Sequence, residues 1–275
     1  MMDFSDLLFS EIHTHMGSSV SSDTLYYLAR QQGIKIGCSS YDEFDELMKI
    51  PKHLDHSKYL KKYDITQKVQ SSPMAVEESV YKSIELSYKK SKITTLDLRF
   101  NPLLRNHDNY FDLDDLILYA HIGMLKATAA YPVKVALIIS TDRKFDARKS
   151  EILAKKAIKF YERGMVQAFD MSGENKDFNP VDHVNAFKMV KEAGLGVTCH
   201  IGEGTTDNHL DMSYMLEKYK VDRIGHGTQF IVDYIEKQTT EDIKTILDKN
   251  VVLEICPTSN ITTNLHSIEM MEVII

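Results

Sequence analysis

The chain has no apolar run long enough to cross a bilayer, and no basic start followed by an apolar stretch of signal-peptide length. Those absences set the expectation of no membrane partner and of a reducing cytoplasm as the address. Cysteine is scarce. Cys38, Cys199 and Cys256 are odd in number and widely spaced, so neither a disulfide framework nor a zinc-finger spacing can be built from them. They read as small core residues. Positive charge is not in excess: 33 Lys and Arg face 40 Asp and Glu, interspersed along the chain, for a net charge of -7. Phosphate-backbone binding needs a basic face, so no nucleic-acid partner is expected. No Gly-rich dinucleotide fingerprint follows any candidate strand. The small polar stretch Gly17–Ser22 lacks the lysine and the glycine spacing of a phosphate loop.

What is present is ordinary for a globular protein: 43% hydrophobic and 27% charged residues, enough for a core of normal size. Short β-branched runs alternate with segments of helical period. The strand candidates are Leu8–His13, Ile93–Arg99, Val133–Ser140, Met165–Met171, Gly196–His200, Asp222–Gly225 and Val251–Cys256. Several are nearly continuous apolar runs, the pattern of parallel strands covered on both faces. Between them, Leu113, Leu116, Ile117, Ala120, Met124 and Ala127 form one apolar stripe at helical spacing. Leu153, Ala157, Phe160 and Tyr161 form a second, and Ile243, Ile246 and Leu247 a third. Ser22 and Asp23 are natural N-caps for a helix over Thr24–Gln32, with Gly33 as its stop. Further helical material over Tyr41–Gln70 is too long for a simple connection. It reads as part of an insertion at about 41–92 and as a candidate cover over one end of the fold. Alternating strand and helix predicts one α/β domain over 1–275 with a parallel sheet, doubly wound or closed. Polar residues recur at the strand ends, which favours a barrel of the TIM type, where function is built at the carboxyl ends of the strands.

Three strand ends carry the chemistry. The first reads Glu11-Ile12-His13-Thr14-His15, and residues two apart in a strand point the same way, so His13 and His15 can converge on one ion. The alternative is a pair of histidines in ordinary hydrogen bonding. The fifth ends in His200-Ile201-Gly202-Glu203, adding a third imidazole and a carboxylate. Three imidazoles with an open position are a common recipe for catalytic zinc, which lowers the pKa of bound water towards neutrality. Glu203 would then carry a proton, if burial raises its pKa, or else be a solvated turn carboxylate. The sixth ends in Ile224-Gly225-His226-Gly227, whose glycines permit a sharp turn or close approach. His226 is placed to orient water or stabilise charge. After the fourth strand, the Gly173 N–H could meet a substrate acceptor. Arg99, a charge at a strand end, reads as a buried brace to a carboxylate. Cys256, before Pro257, reads as packing beside a turn.

In this order and spacing, the segments HTH, DLRFNP, FDMSGEN, HIGE, RIGHG and EICPTSN resemble the adenosine deaminase family over nearly the whole chain. HTH alone says little; the three histidine motifs together are very specific. The resemblance implies a (β/α)8 barrel with one zinc ion, its ligands His13, His15 and His200. It makes Glu203 the group that protonates purine N1, His226 the histidine beside the attacking water, and Gly173 the glycine whose backbone meets the purine. His15 and Gly17 would also face the substrate. The implied reaction takes an aminopurine nucleoside such as adenosine to the inosine-type product and ammonia, in purine salvage.

Two departures qualify this. Where the family often places Asp to touch the ribose, this chain has Gly17, which has no side chain to grip a sugar hydroxyl. Adenine, adenosine monophosphate and modified forms therefore stay open as substrates. The family's Thr-Asp-Asp-Pro motif at the eighth strand, whose first Asp binds metal, has no counterpart here. The chain stops in a helix over Ser267–Ile275, giving the expectation of a C-terminally truncated barrel with about seven of eight strands. The alternative function is an inactive deaminase-like fragment that only binds ligand or a partner; oligomeric state stays open. A binuclear amidohydrolase would need a bridging Lys at the end of the fourth strand, and none precedes Lys176. The cytidine-type motifs H-x-E and P-C-x-x-C do not occur.

Overall fold

Strand and helix alternate along the chain in the computed structural model, which describes residues 7–274 apart from 52–55, 107–108, 175–177, 204–208, 238–240, 264 and 266. Lys176 lies outside the described residues. The chain divides into two compact units, Met1–Lys49 with Lys62–Ile138, and Ile50–Lys61 with Ile139–Ile275.

In the first unit, β1 (Phe9–His15) and β2 (Ile93–Phe100) pair in parallel, from Phe9 opposite Ile93 to His15 opposite Arg99. The N-terminal part of β3 (Lys134–Asp142) follows β2 in the sheet. Leu96 and Leu98 are fully buried, each removal of such a side chain from water contributing roughly 1.5–3 kcal/mol. Helix α1 (Ser22–Gln31) begins earlier than the sequence suggests. Ser21, in extended backbone, is its N-cap, and Asp23 falls inside the first turn. Gly33 takes the positive φ of 68° that the predicted stop requires. The insertion is helical: α2 (Tyr41–Met48), α3 (His56–Val69), of which the part from Lys62 on belongs to this unit, and α4 (Pro73–Ser91). Leu25, Leu28, Ala29, Phe44, Val69 and Ala75 form a buried cluster there, with Cys38 half-buried against it. Helix α5 (Leu113–Ala130) starts at Asp112, whose carboxylate accepts from the Asp114 N–H.

In the second unit the remainder of β3 is followed, in chain order, by β4 (Ala168–Ser172), β5 (Gly196–Ile201), β6 (Arg223–His226) and β7 (Val252–Glu254). The pairs β4–β5, β5–β6 and β6–β7 are parallel. Helices α6 (Ala147–Tyr161), α7 (Val184–Glu192), α8 (His209–Lys218), α9 (Thr228–Lys237) and α10 (Glu241–Asp248) fill the connections. Two strand boundaries move for local reasons. Met165 is still closing α6, its N–H donating to the Phe160 carbonyl after Gly164 at φ 70°, so β4 starts three residues late. Strand β7 stops at Glu254 because Pro257 opens α11 (Pro257–Thr262) in its first turn. Helix α12 (Ile268–Ile274) matches the helix predicted after the seventh strand. All three cysteines are free thiols, but only Cys199 is fully buried; Cys38 and Cys256 are half-buried. Among the described residues no helix is long and apolar enough to cross a membrane.

Candidate active site

Strand β1 extends to His15, so both histidines of the first motif are strand residues. Their rings lie edge to face with centroids 5.3 Å apart, the same-side placement that a two-residue spacing dictates. The Glu11 carboxylate accepts from the His13 N–H at 2.8 Å. Arg99 is fully buried on β2, and its Nη2 donates to the Ile12 carbonyl at 2.9 Å. It therefore braces the strand carrying the histidines through backbone. A 3-10 turn, Met16–Ser18, follows β1. A Cβ on Gly17 would lie 2.9 Å from Arg105 Nη2, 3.0 Å from Tyr63 Cδ1 and 3.1 Å from Thr66 Oγ1. Glycine is the residue that admits those three side chains.

In the second unit the ends of β4 to β7 carry a connected polar set. His200 is 4% exposed. Its Nδ1 lies 3.0 Å from the Met171 carbonyl and 3.2 Å from Asp170 Oδ1. A carbonyl only accepts, so Nδ1 carries the proton and Nε2 presents its lone pair, the arrangement of a metal-ligating histidine. Asp170 is held in turn by Ser140 Oγ at 2.6 Å. Arg143, also buried, donates from Nη2 to the His200 carbonyl and from Nη1 to the Gly173 carbonyl at 3.2 Å. Gly173 sits at φ 108°, and a Cβ there would lie 2.7 Å from Asp142 Oδ1. Burial pushes the Asp142 carboxyl above its usual range, with Lys144 opposing.

His226 adopts φ 64°, a left-handed conformation that is strained for a residue with a side chain. Its Nε2 lies 3.5 Å from Glu203 Oε1, and its ring centroid is 5.4 Å from that of His200. Behind it, fully buried Asn260 joins both groups. Asn260 Nδ2 donates to the Glu203 carbonyl at 2.7 Å, which turns Oδ1 towards His226 Nδ1 at 3.4 Å. Farther down the strands, Glu254 accepts from Thr198 Oγ1 at 3.1 Å and pairs with Arg223 Nε at 2.8 Å, tying β5, β6 and β7.

The structure thus pairs His13 with His15 in the first unit and sets Gly17 against Arg105. In the second it groups His200, His226 and Glu203, with Gly173 joined to His200 through Arg143. Sequence reasoning missed Asp142, Arg143, Asp170 and Asn260. Asp170 did leave a signal, a lone carboxylate inside the apolar run of β4. Asn260 lies in a segment read only as a turn.

The chain matches the adenosine deaminase family model over residues 9–270. It is 30% identical to an adenosine deaminase of Clostridium botulinum over 267 residues, covering 95% of this chain and 76% of that protein. Among solved structures, an amidohydrolase from Burkholderia ambifaria with bound Zn superposes with a TM-score of 0.80 at 19% identity, over 97% of this chain and 69% of that one. An Arabidopsis N6-mAMP deaminase gives 0.79 at 22% identity, over 95% and 75%. These likenesses show the α/β TIM-barrel fold anticipated from the strand pattern, with seven strands among the described residues. By the extent of the family match, the chain belongs to the adenosine deaminase family.

Proposed function

We propose that the protein hydrolyses the exocyclic amine of a 6-aminopurine, with one zinc ion held by His13, His15 and His200. The observation that carries this reading is the Glu203–Asn260–His226 arrangement beside His200, whose Nδ1 is committed to the Met171 carbonyl. The donor set fits zinc: three imidazoles, one with a fixed tautomer. Among structural neighbours, the Burkholderia amidohydrolase has bound Zn. When bound, the ion supplies a nucleophilic water at neutral pH.

The chain's own residues do the rest. His226 orients the attacking water and takes up positive charge as its proton leaves. Glu203, as the neutral acid, donates to ring N1 as water adds at C6, and the Gly173 N–H fixes the ring by donating to an acceptor on its far side. His226 returns the proton to the amine, which departs from C6 as ammonia, while Glu203 takes the proton of the C6 hydroxyl, leaving the oxo-purine. Relatives differ in what the purine carries: adenosine for the Clostridium enzyme, a methylated nucleotide for the Arabidopsis one. The test is ammonia release by the zinc-loaded protein from adenosine, adenine and AMP, with metal content measured alongside. Stoichiometric zinc and turnover of any of the three support the reading. Bound ligand without turnover replaces it with the non-catalytic one.

A further inference from the structure

Asp142 closes β3 at its carboxyl end and is 7% exposed. Its two oxygens are used differently. Oδ1 accepts from the Lys144 N–H at 3.0 Å, which fixes the carboxyl. Oδ2 accepts no hydrogen bond among the described residues. The exposed Lys144 ammonium stands 3.9 Å from it, beyond hydrogen-bond reach, and Oδ2 is not sealed from solvent. A buried carboxylate with one oxygen anchored and the other open opposes folding until a donor completes it. Its position says which donor. The carboxyl lies where a side chain on Gly173 would project, Oδ1 at 2.7 Å and Oδ2 at 3.1 Å from the place of a Cβ. Arg143 ties Gly173 to His200 by donating to both carbonyls. Asp142, Gly173, His200, Glu203 and His226 all belong to the second unit.

We infer that Asp142 accepts a hydrogen bond, through Oδ2, from a sugar hydroxyl of a purine nucleoside. The inference rests on the deaminase reading for the orientation of the purine. In a 6-aminopurine the ring acceptor across from C6 is N3, two bonds from N9, where the sugar is attached. An N3 held by the Gly173 N–H therefore brings the sugar beside Gly173, which is where Oδ2 stands open. A carboxylate oxygen selects a donor, which a sugar hydroxyl supplies. A phosphate, anionic and accepting only, does not.

The test compares the zinc-loaded parent with Asp142→Ala and Asp142→Asn. The substrates are adenosine, 2′,3′-dideoxyadenosine, 5′-deoxyadenosine and adenine, and the calorimetric ligands are inosine and hypoxanthine. The parent should prefer adenosine to at least one deoxy analogue by about 30-fold in kcat/KM, the worth of one hydrogen bond to a charged acceptor. In Asp142→Ala that ratio should fall towards one, which also says which hydroxyl is held. Asp142→Asn keeps an oxygen for the Lys144 N–H but loses the charge, so its ratio should fall between. A parent indifferent to both deoxy changes, or one that deaminates adenine and not adenosine, would overturn the inference while leaving the deaminase reading intact. So would an equal loss on all substrates in both variants, the mark of a structural role. If no substrate is turned over, the deaminase reading fails and binding decides. Tighter inosine than hypoxanthine in the parent but not in Asp142→Ala upholds the sugar contact, and an advantage that is absent or survives in Asp142→Ala removes it.

Discussion

At the scale of single residues, the histidines were legible and their supports were not. Two histidines two apart at a strand end converge by backbone geometry, so His13 and His15 could be read from spacing alone. Glu203 and His226 required the family pattern, because a carboxylate after a turn or a histidine between glycines has many uses. Asn260 was invisible for a different reason: its partners, Glu203 and His226, lie 57 and 34 residues away in the chain. Its geometry gives a specific expectation. With the amide gone, His226 loses the acceptor that keeps its proton on Nδ1, and Glu203 loses a backbone anchor. Asn260→Ala should lower kcat about 10–100-fold, the usual cost of losing such a support, while zinc content stays stoichiometric. Glu203→Gln should cost about 100-fold or more, again with metal retained. Steady-state kinetics with metal analysis check both, and parent-like rates in Glu203→Gln would exclude it as the proton donor.

Elements were more legible than residues, because periodicity reports burial directly. All seven strands were located, and the errors fall at ends governed by contacts that periodicity does not encode. Gly164 and Pro257 decided where β4 begins and β7 stops. Packing between elements was less visible. Gly123 interrupts the apolar stripe of α5, and its missing Cβ lets α5 press against the Glu77 carbonyl of α4. Gly123→Ala should therefore destabilise the protein by about 1–3 kcal/mol, despite the better helix propensity of alanine. Denaturant unfolding checks the sign, since propensity alone predicts a gain. The same two helices share a titrating contact. Glu85 of α4 accepts from Lys82, Lys89 and Tyr131, the last at the end of α5. The bond from Lys82 is the largest of the causes that hold its carboxyl down to about 2, from an ordinary 4.5. A folded-state pKa below the unfolded one stabilises fully above 4.5 and is lost as pH falls towards 2. Glu85→Gln should cost about 1 kcal/mol at pH 7, because Lys89 is exposed and salt screens it. The gap from the parent should close as pH falls from 4.5 to about 2, and a gap that persists at pH 2 would point to packing instead.

For the molecule as a whole, the proposed metal ties chemistry to stability. An ion that binds the folded chain and not the unfolded one adds RT ln(1 + [L]/Kd), about 2.7 kcal/mol at a hundredfold excess over Kd. For a chain of this length that is a rise in melting temperature of about 5 °C. Thermal unfolding with and without chelator measures it. Two variants divide the possible causes. His200→Ala removes a proposed ligand, so its zinc content should drop and its melting temperature should no longer respond to chelator. His226→Ala removes no proposed ligand, so it should keep both the ion and the full chelator response while turnover falls. If chelator leaves the parent's melting temperature unchanged, zinc is not bound by the folded chain under those conditions, and the hydrolytic reading loses its nucleophile. If His226→Ala loses zinc as readily as His200→Ala, the ligand set is wrong, and His226 must be counted within it.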